Sequence, residues 1–232
     1  SDSCTATYKN ISIINSLMYN DDIYAYGVEE DDIIIRFNLY RIAPDGSSID
    51  KVGTVFEAEN TLGEGYATAL ASSTTVPESF IIHKGYAYLP YYLRIGVASR
   101  GFMGGGLVQM NITTGETKSI YEAEFMTSEI PTNLRACGDY VYMDMYAMHS
   151  FGGTMRYVIS EDRMEQPNPD WKSTYGFVTP QRLYTVFPSF NGDTMEPLPI
   201  FVTVFDSATG AWLEEECFET DIVAELSDKL IS

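Results

Sequence analysis

Carboxylates dominate the chemically capable side chains of this sequence: 33 Asp and Glu stand against 14 Lys and Arg and 2 His in 232 residues. Paired carboxylates could perform the acid and base steps of glycoside hydrolysis, and the runs Asp21-Asp22 and Glu29-Glu30-Asp31-Asp32 offer the oxygen ligands that calcium prefers. The spacing is not that of an EF-hand. Adjacent residues on a strand or tight loop point in different directions, so neighbouring carboxylates converge on one ion only with partners from elsewhere. The acidic run therefore reads as a solvated hairpin loop. No cofactor is expected, Ca2+ being the lesser alternative, and no catalytic pair of carboxylates can be singled out.

Other chemistries are excluded by count or spacing. His83 and His149 are too few for a histidine-rich zinc centre, and neither a His-Glu-x-x-His helix nor a Gly-x-Ser-x-Gly elbow occurs. Gly101-Phe-Met-Gly-Gly-Gly106 lacks the strand-to-helix setting and the Lys-Ser/Thr ending of a phosphate loop, so it reads as a hairpin loop. His83, just before Lys84-Gly85, reads as a strand-end surface residue. Of the three cysteines, Cys4, Cys137 and Cys217, at most one pair forms, and Cys137 and Cys217 are expected as buried free thiols. No catalytic residue and no metal ligand is assigned.

One pattern points to binding. Phe102, Phe151 and Phe190 each precede a glycine by one or two residues, in loops expected between the second and third strands of successive repeats. Arg100, His149, Tyr91 and Tyr92 lie close by in sequence, and Trp171 falls in a connection expected on the same face. Aromatic rings with a few polar groups suit sugars or peptide side chains. The alternative is that each Phe folds back over its own sheet, with Gly permitting the bend.

The elements that must position these residues are set by a degenerate four-fold repeat. Its copies are Asn20-Asp-Asp-Ile-Tyr24, Lys84-Gly-Tyr-Ala-Tyr88, Gly138-Asp-Tyr-Val-Tyr142 and Gln181-Arg-Leu-Tyr184, with tyrosines 64, 54 and 42 residues apart. That range suits propeller blades with insertions. Apolar or alternating runs separated by tight turns give each copy four antiparallel strands. The closing turn recurs as Pro44-Asp-Gly46, Asn111-Ile-Thr-Thr-Gly115 and Asp206-Ser-Ala-Thr-Gly210, where Gly supplies the positive φ and Asn or Asp bonds its own backbone. The third copy lacks this Gly turn, which puts its outer strand in question.

These residues resemble the degenerate blade repeats of bacterial extracytoplasmic β-propellers, in which Gly-Asp-x-Val-Tyr and Thr-Gly-Glu turns mark successive blades. The resemblance implies an all-β, β-propeller-like fold with four recognisable four-stranded antiparallel blades. It extends over roughly 16–219, and its known members range from interaction scaffolds to glycan-active enzymes. The repeats fall at about 16–59, 79–124, 133–174 and 175–219 of a single domain, 1–232. Four blades make a small ring, and sheet edges need protection. Thr5 to Ile14 is one source of a composite fifth blade, a partner or second copy is another, and a short C-terminal helix after Thr220 or Asp221 could cover an edge.

A net charge of -19 argues against nucleic acid and against an anionic membrane surface, since phosphate binding needs clustered Lys and Arg. No run of about 18 apolar residues is present to span a membrane. A chain starting at Ser1 reads as a processed product, and with the resemblance this gives an extracytoplasmic bacterial location. The expected function is a non-catalytic binding or scaffolding module for a protein or glycan. The alternative is a carbohydrate-active enzyme, a glycoside hydrolase or lyase, with carboxylates at a central channel.

Overall fold

Strands separated by tight turns rich in Gly, Asn and Asp should close into short meanders, and the chain does so four times. The computed structural model describes residues 11–30, 34–59, 80–95, 102–123, 130–147, 150–166, 168, 175–187 and 200–218. Sheet I comprises β1 (Ile11–Tyr19), β2 (Asp22–Glu30), β3 (Ile34–Ile42) and β4 (Ile49–Glu59). Sheet II comprises β5 (Ile81–His83), β6 (Tyr86–Ile95), β7 (Phe102–Asn111) and β8 (Thr117–Ala123). Sheet III comprises β9 (Ile130–Cys137), β10 (Tyr140–Ala147), β11 (Ser150–Val158) and β12 (Arg163–Glu165). Sheet IV comprises β13 (Tyr175–Val178), β14 (Arg182–Phe187), β15 (Ile200–Asp206) and β16 (Trp212–Phe218). Each is an up-and-down sheet with its strands in sequence order, the arrangement of a propeller blade.

The turns carry the positive φ values that their residues suggest. Asn20 and Asp21 reverse β1 into β2 at 48° and 66°, and Lys84 and Gly85 do the same between β5 and β6 at 52° and 78°. Asn111 Oδ1 accepts from the amides of Thr113 and Thr114 at 2.9 and 3.1 Å, and Asp206 Oδ1 accepts from those of Ala208 and Thr209 at 3.1 and 2.7 Å. Both turns are thus braced the same way. In sheet III, where the Gly turn is missing, Asp162 takes the left-handed conformation at φ 52° and its carboxylate accepts from Tyr157 Oη at 2.9 Å. The outer strand there exists but is three residues long.

Three elements differ from the sequence reading. Ile11 to Ile13 contribute to no fifth blade: they begin β1 and pair with Glu29 to Gly27 of β2. The acidic run is not wholly a loop, because Glu29 and Glu30 end β2, opposite Arg36 and Ile35. The glycine-rich run is a strand: Gly104, Gly105 and Gly106 lie in β7 opposite Leu93, Tyr92 and Tyr91. A Cβ on Gly106 would stand 2.5 Å from the Tyr121 carbonyl oxygen and 2.8 Å from Tyr91 Oη, so glycine is required by close packing rather than by a bend. Residues 5–10 and the expected C-terminal helix lie outside the described residues.

The chain forms two compact units. The first, Ser1–Leu134 with Tyr146–Met148, contains sheets I and II; the second, Arg135–Met145 with His149–Ser232, contains β11, β12 and sheet IV. In the first, every second residue of four central strands enters one core: Tyr24, Tyr26 and Val28; Ile35, Phe37 and Leu39; Ala87, Leu89 and Tyr91; Val108 and Met110. Phe56 and Tyr91 stack at 4.2 Å between ring centroids, and Tyr26 Oη donates to the Pro90 carbonyl at 2.8 Å. Tyr91 is therefore a core residue and is not available as a ligand handle.

In the second unit the repeat tyrosine Tyr142 packs with Leu183 and Phe205 and donates to the Ser207 carbonyl at 2.7 Å. Arg156, 5% exposed, donates to the Ser207 and Ala208 carbonyls, pairs with Glu165 and lies 4.1 Å over the Tyr140 ring. The turn that opens β16 is thereby gripped from β10 and β11. Cys137 is free, as expected, but half-buried rather than buried, since it closes β9 next to the Gly138 turn.

Candidate functional site

An up-and-down sheet sends its first and third connections to one end of its strands and its second connection and exit to the other. At the first end of these sheets the connections are uniformly tight, at 20–21, 43–48, 84–85, 112–116, 138–139, 159–162, 179–181 and 207–211. At the second end they run over 31–33, 60–80, 96–101, 124–129, 148–149, 166–174 and 188–199. The connections longer than six residues, 60–80, 166–174 and 188–199, all lie at the second end, and long connections on a rigid scaffold are where function is commonly carried.

Of the candidate binding residues, Phe102 and Phe151 lie at that end. Phe102 is the first residue of β7, opposite Ile95, and Phe151 is the second residue of β11. The sequence reading put both in loops; they instead lie at the start of the third strand of their sheets, beside the long connection. Arg100, His149, Trp171 and Phe190 lie outside the described residues. His83 ends β5 at the tight-turn end, half-buried and opposite Tyr86.

Carboxylates near the long end of sheet I already have partners. Tyr40 Oη donates to Glu29, Asn38 Nδ2 donates to Tyr40 Oη at 3.0 Å, and Thr54 Oγ1 donates to Asn38 Oδ1 at 2.9 Å. Burial first, and then the bond to Glu29, push the Tyr40 phenol well above its ordinary range, so it serves as a neutral donor. Arg36 pairs with Glu57 across β3 and β4 at 2.7 Å.

In sheet III, Asp144 is 3% exposed and takes a two-pronged bond from Arg135 at 2.9 and 3.1 Å, plus one from Thr154 Oγ1 at 2.7 Å. The sequence reading missed this triad. A signal was present: Asp144 interrupts the otherwise apolar and aromatic Tyr140-Val-Tyr-Met-Asp-Met-Tyr-Ala147, and a charge in such a strand needs a buried partner. Among the described residues no group of three or more His, Cys, Asp or Glu side chains is arranged to hold a metal, and no helix is long and apolar enough to cross a membrane. What the described geometry provides is a braced scaffold whose acids hold the sheets together and whose aromatic residues Phe102 and Phe151 mark the edge of the long connections.

No family model matches the chain, and no curated protein matches it. Among solved structures, it is similar to the GH43_1 enzyme from Xanthomonas citri complexed with xylotriose, at 13% identity over 90% of this chain and 75% of that one, with a TM-score of 0.36. It is also similar to a provisionally assigned glycoside hydrolase from Bacteroides ovatus, at 7% identity over 90% of this chain and 73% of that one, with a TM-score of 0.39. Likenesses of this degree do not bear on chemistry.

Proposed function

We propose that this chain is a non-catalytic recognition module of the bacterial exterior, binding a protein or glycan ligand through the long connections at one end of its sheets. The observation that supports this reading is the asymmetry of the connections: those at one end span two to six residues, and the three that exceed six residues, 60–80, 166–174 and 188–199, all fall at the other. Phe102, Phe151 and Phe190 supply apolar contact, while Arg100, His149 and Trp171 supply polar and aromatic handles in the same connections. The committed partners of Glu29, Glu57, Asp144 and Glu165 favour a structural over a catalytic use of these acids.

The test is affinity capture from bacterial surface and medium fractions, glycans included, by the wild type and by a Phe102→Ala, Phe151→Ala, Phe190→Ala triple variant of matched urea stability. Capture by the wild type that is lost in the variant supports the reading; equal capture by both removes the phenylalanines from it. The second reading is a carbohydrate-active enzyme. It is decided by the same fractions: release of new reducing ends from a captured glycan would replace recognition with hydrolysis.

A further inference from the structure

The last strand of sheet IV differs from the strands that close the other sheets. β4 is broken by two register shifts and carries exposed Asp50 and Lys51, β8 opens on exposed Thr117, Lys118 and Ser119, and β12 is three residues long. Such devices keep an edge from pairing indiscriminately, and β16 has its own in a bulge and Glu214 to Glu216, but its charges are of one sign where β4, β8 and β12 carry both. β16 is seven residues long, stands last in its sheet, and among the described residues pairs with β15 alone. Its first two residues, Trp212 and Leu213, are 59% and 44% exposed.

Both are exposed because the register slips there. Val204 faces Glu214 and Phe205 faces Trp212, which leaves Leu213 as the extra residue of a bulge. A bulge disturbs the strict alternation of side chains, so two large apolar residues can stand at the surface side by side. The turn preceding them is fixed by Arg156, Tyr142 and the Asn168 amide, which donates to the Gly210 carbonyl at 2.9 Å. The apolar pair is thus presented on a rigid support. After the bulge the strand continues as Glu214-Glu215-Glu216-Cys217-Phe218, in register with Val204 to Ile200, with three acidic residues and no basic one.

We propose that the edge of β16 left unpaired among the described residues accepts an added strand: an extended peptide segment rich in Lys or Arg, with one of its basic side chains laid on the Trp212 ring. Main-chain hydrogen bonds to an open edge supply affinity in this mode and alternate side chains supply selectivity. A guanidinium over an exposed indole adds a cation–π contact, and a strand with three glutamates in sequence attracts basic chains and repels acidic ones. The exposed apolar pair lies at the tight-turn end of β16.

The test uses a capped heptapeptide, Thr-Arg-Val-Arg-Val-Arg-Thr, titrated by calorimetry into the full chain, beside a version with Glu in place of Arg and one N-methylated at alternate backbone nitrogens. The expected result is saturable binding of the Arg peptide alone, weakened at least about tenfold by Trp212→Ala, by the double variant Glu214→Lys, Glu216→Lys, and by raising salt from about 0.05 to 0.5 M. Leu213→Ser gives a second, milder variant. Failure of the Arg peptide to bind at about 1 mM, equal binding of the Glu or N-methylated peptide, or an unchanged affinity in Trp212→Ala would overturn the proposal. A concentration-dependent dimer in sedimentation that disappears in Trp212→Ala would also overturn it, making the occupant a second copy.

Discussion

Removing Arg156 should show how the two strands β10 and β11 share the grip on the turn before β16. Arg156→Met keeps most of the apolar stem while deleting the bonds to the Ser207 and Ala208 carbonyls, the pairing with Glu165 and the contact over Tyr140. A hydrogen bond from a charged donor contributes about 1.5–3 kcal/mol and a partly desolvated cation–π contact about 1–2, offset by relief of the guanidinium's desolvation. Ala208 is exposed, so water replaces its lost bond, and Ser207 keeps the Tyr142 hydroxyl. These considerations place the loss at about 3 kcal/mol. Tyr142→Phe alone should cost only about 0.5–1 kcal/mol, because the Ser207 carbonyl retains Arg156. In the Arg156→Met background the same change leaves that carbonyl, in a residue 3% exposed, without either donor, and should cost about 2 kcal/mol. Urea unfolding of the four proteins measures a coupling of about 1–1.5 kcal/mol. Additivity within about 0.5 kcal/mol would refute the idea that Ser207 is a shared acceptor.

Three further outcomes follow from the same contacts. Gly115→Ala places a Cβ 2.3 Å from the Val52 carbonyl at φ 75°, whereas Gly46→Ala meets nothing within 4 Å at φ 71°; urea midpoints should show about 1 kcal/mol lost in the second and at least about 3 in the first. Asp144→Ala leaves Arg135 charged and largely buried and should cost about 3–5 kcal/mol, while the double variant Asp144→Leu, Arg135→Met recovers most of it. Burial works to raise the Glu165 carboxyl, but the bonds and charges of Arg156 and Arg163 outweigh it and hold it below its ordinary 4.5. A carboxyl depressed in the folded state contributes its stability in full above 4.5 and loses it as pH falls through the folded value, so Glu165→Gln should narrow the gap between urea midpoints at pH 7 and pH 3.

The four blades were legible because two local signals coincided. Turn residues with positive φ recur at two points of the repeat, Asn20, Gly85 and Gly138 before the second strand and Gly46, Gly115 and Gly210 before the fourth, and the tyrosines Tyr24, Tyr88 and Tyr142 sit on second strands buried over continuous runs. Misreadings arose where long-range packing overrode a local cue. Gly104 to Gly106 looked like a bend, yet Gly106 is small because the Tyr91 ring and the Tyr121 carbonyl need its space. Ser12 and Ile13 looked like a separate strand, but β2 extends to Glu30 and pairs with them. The polar core was hidden for a different reason. Nothing in the order of residues says that Asn38 reaches Tyr40 and Thr54, or that Asp144 reaches Arg135 nine positions back, until adjacent strands are in register.

The bracing is unevenly distributed, and that unevenness bears on function. Inter-sheet contacts lie in the core, where Phe56 stacks on Tyr91, and at the tight turns, where Gly115 meets Val52 of β4 and the turn before β16 is held by Tyr142, Arg156 and Asn168. A chain that secures its sheets at one end by turns of fixed geometry can change the length and composition of its connections at the other end with little effect on that bracing. At the long end Glu29 and Phe102 differ. The carboxylate is tied through Tyr40 and Asn38 to Thr54, while Phe102 stands where the strand begins and the 96–101 connection ends. Recognition assigned to the long connections and strand addition assigned to β16 therefore place separate demands on the fold: the first uses the end the turns leave free to vary, and the second uses the rigidity of the end they fix.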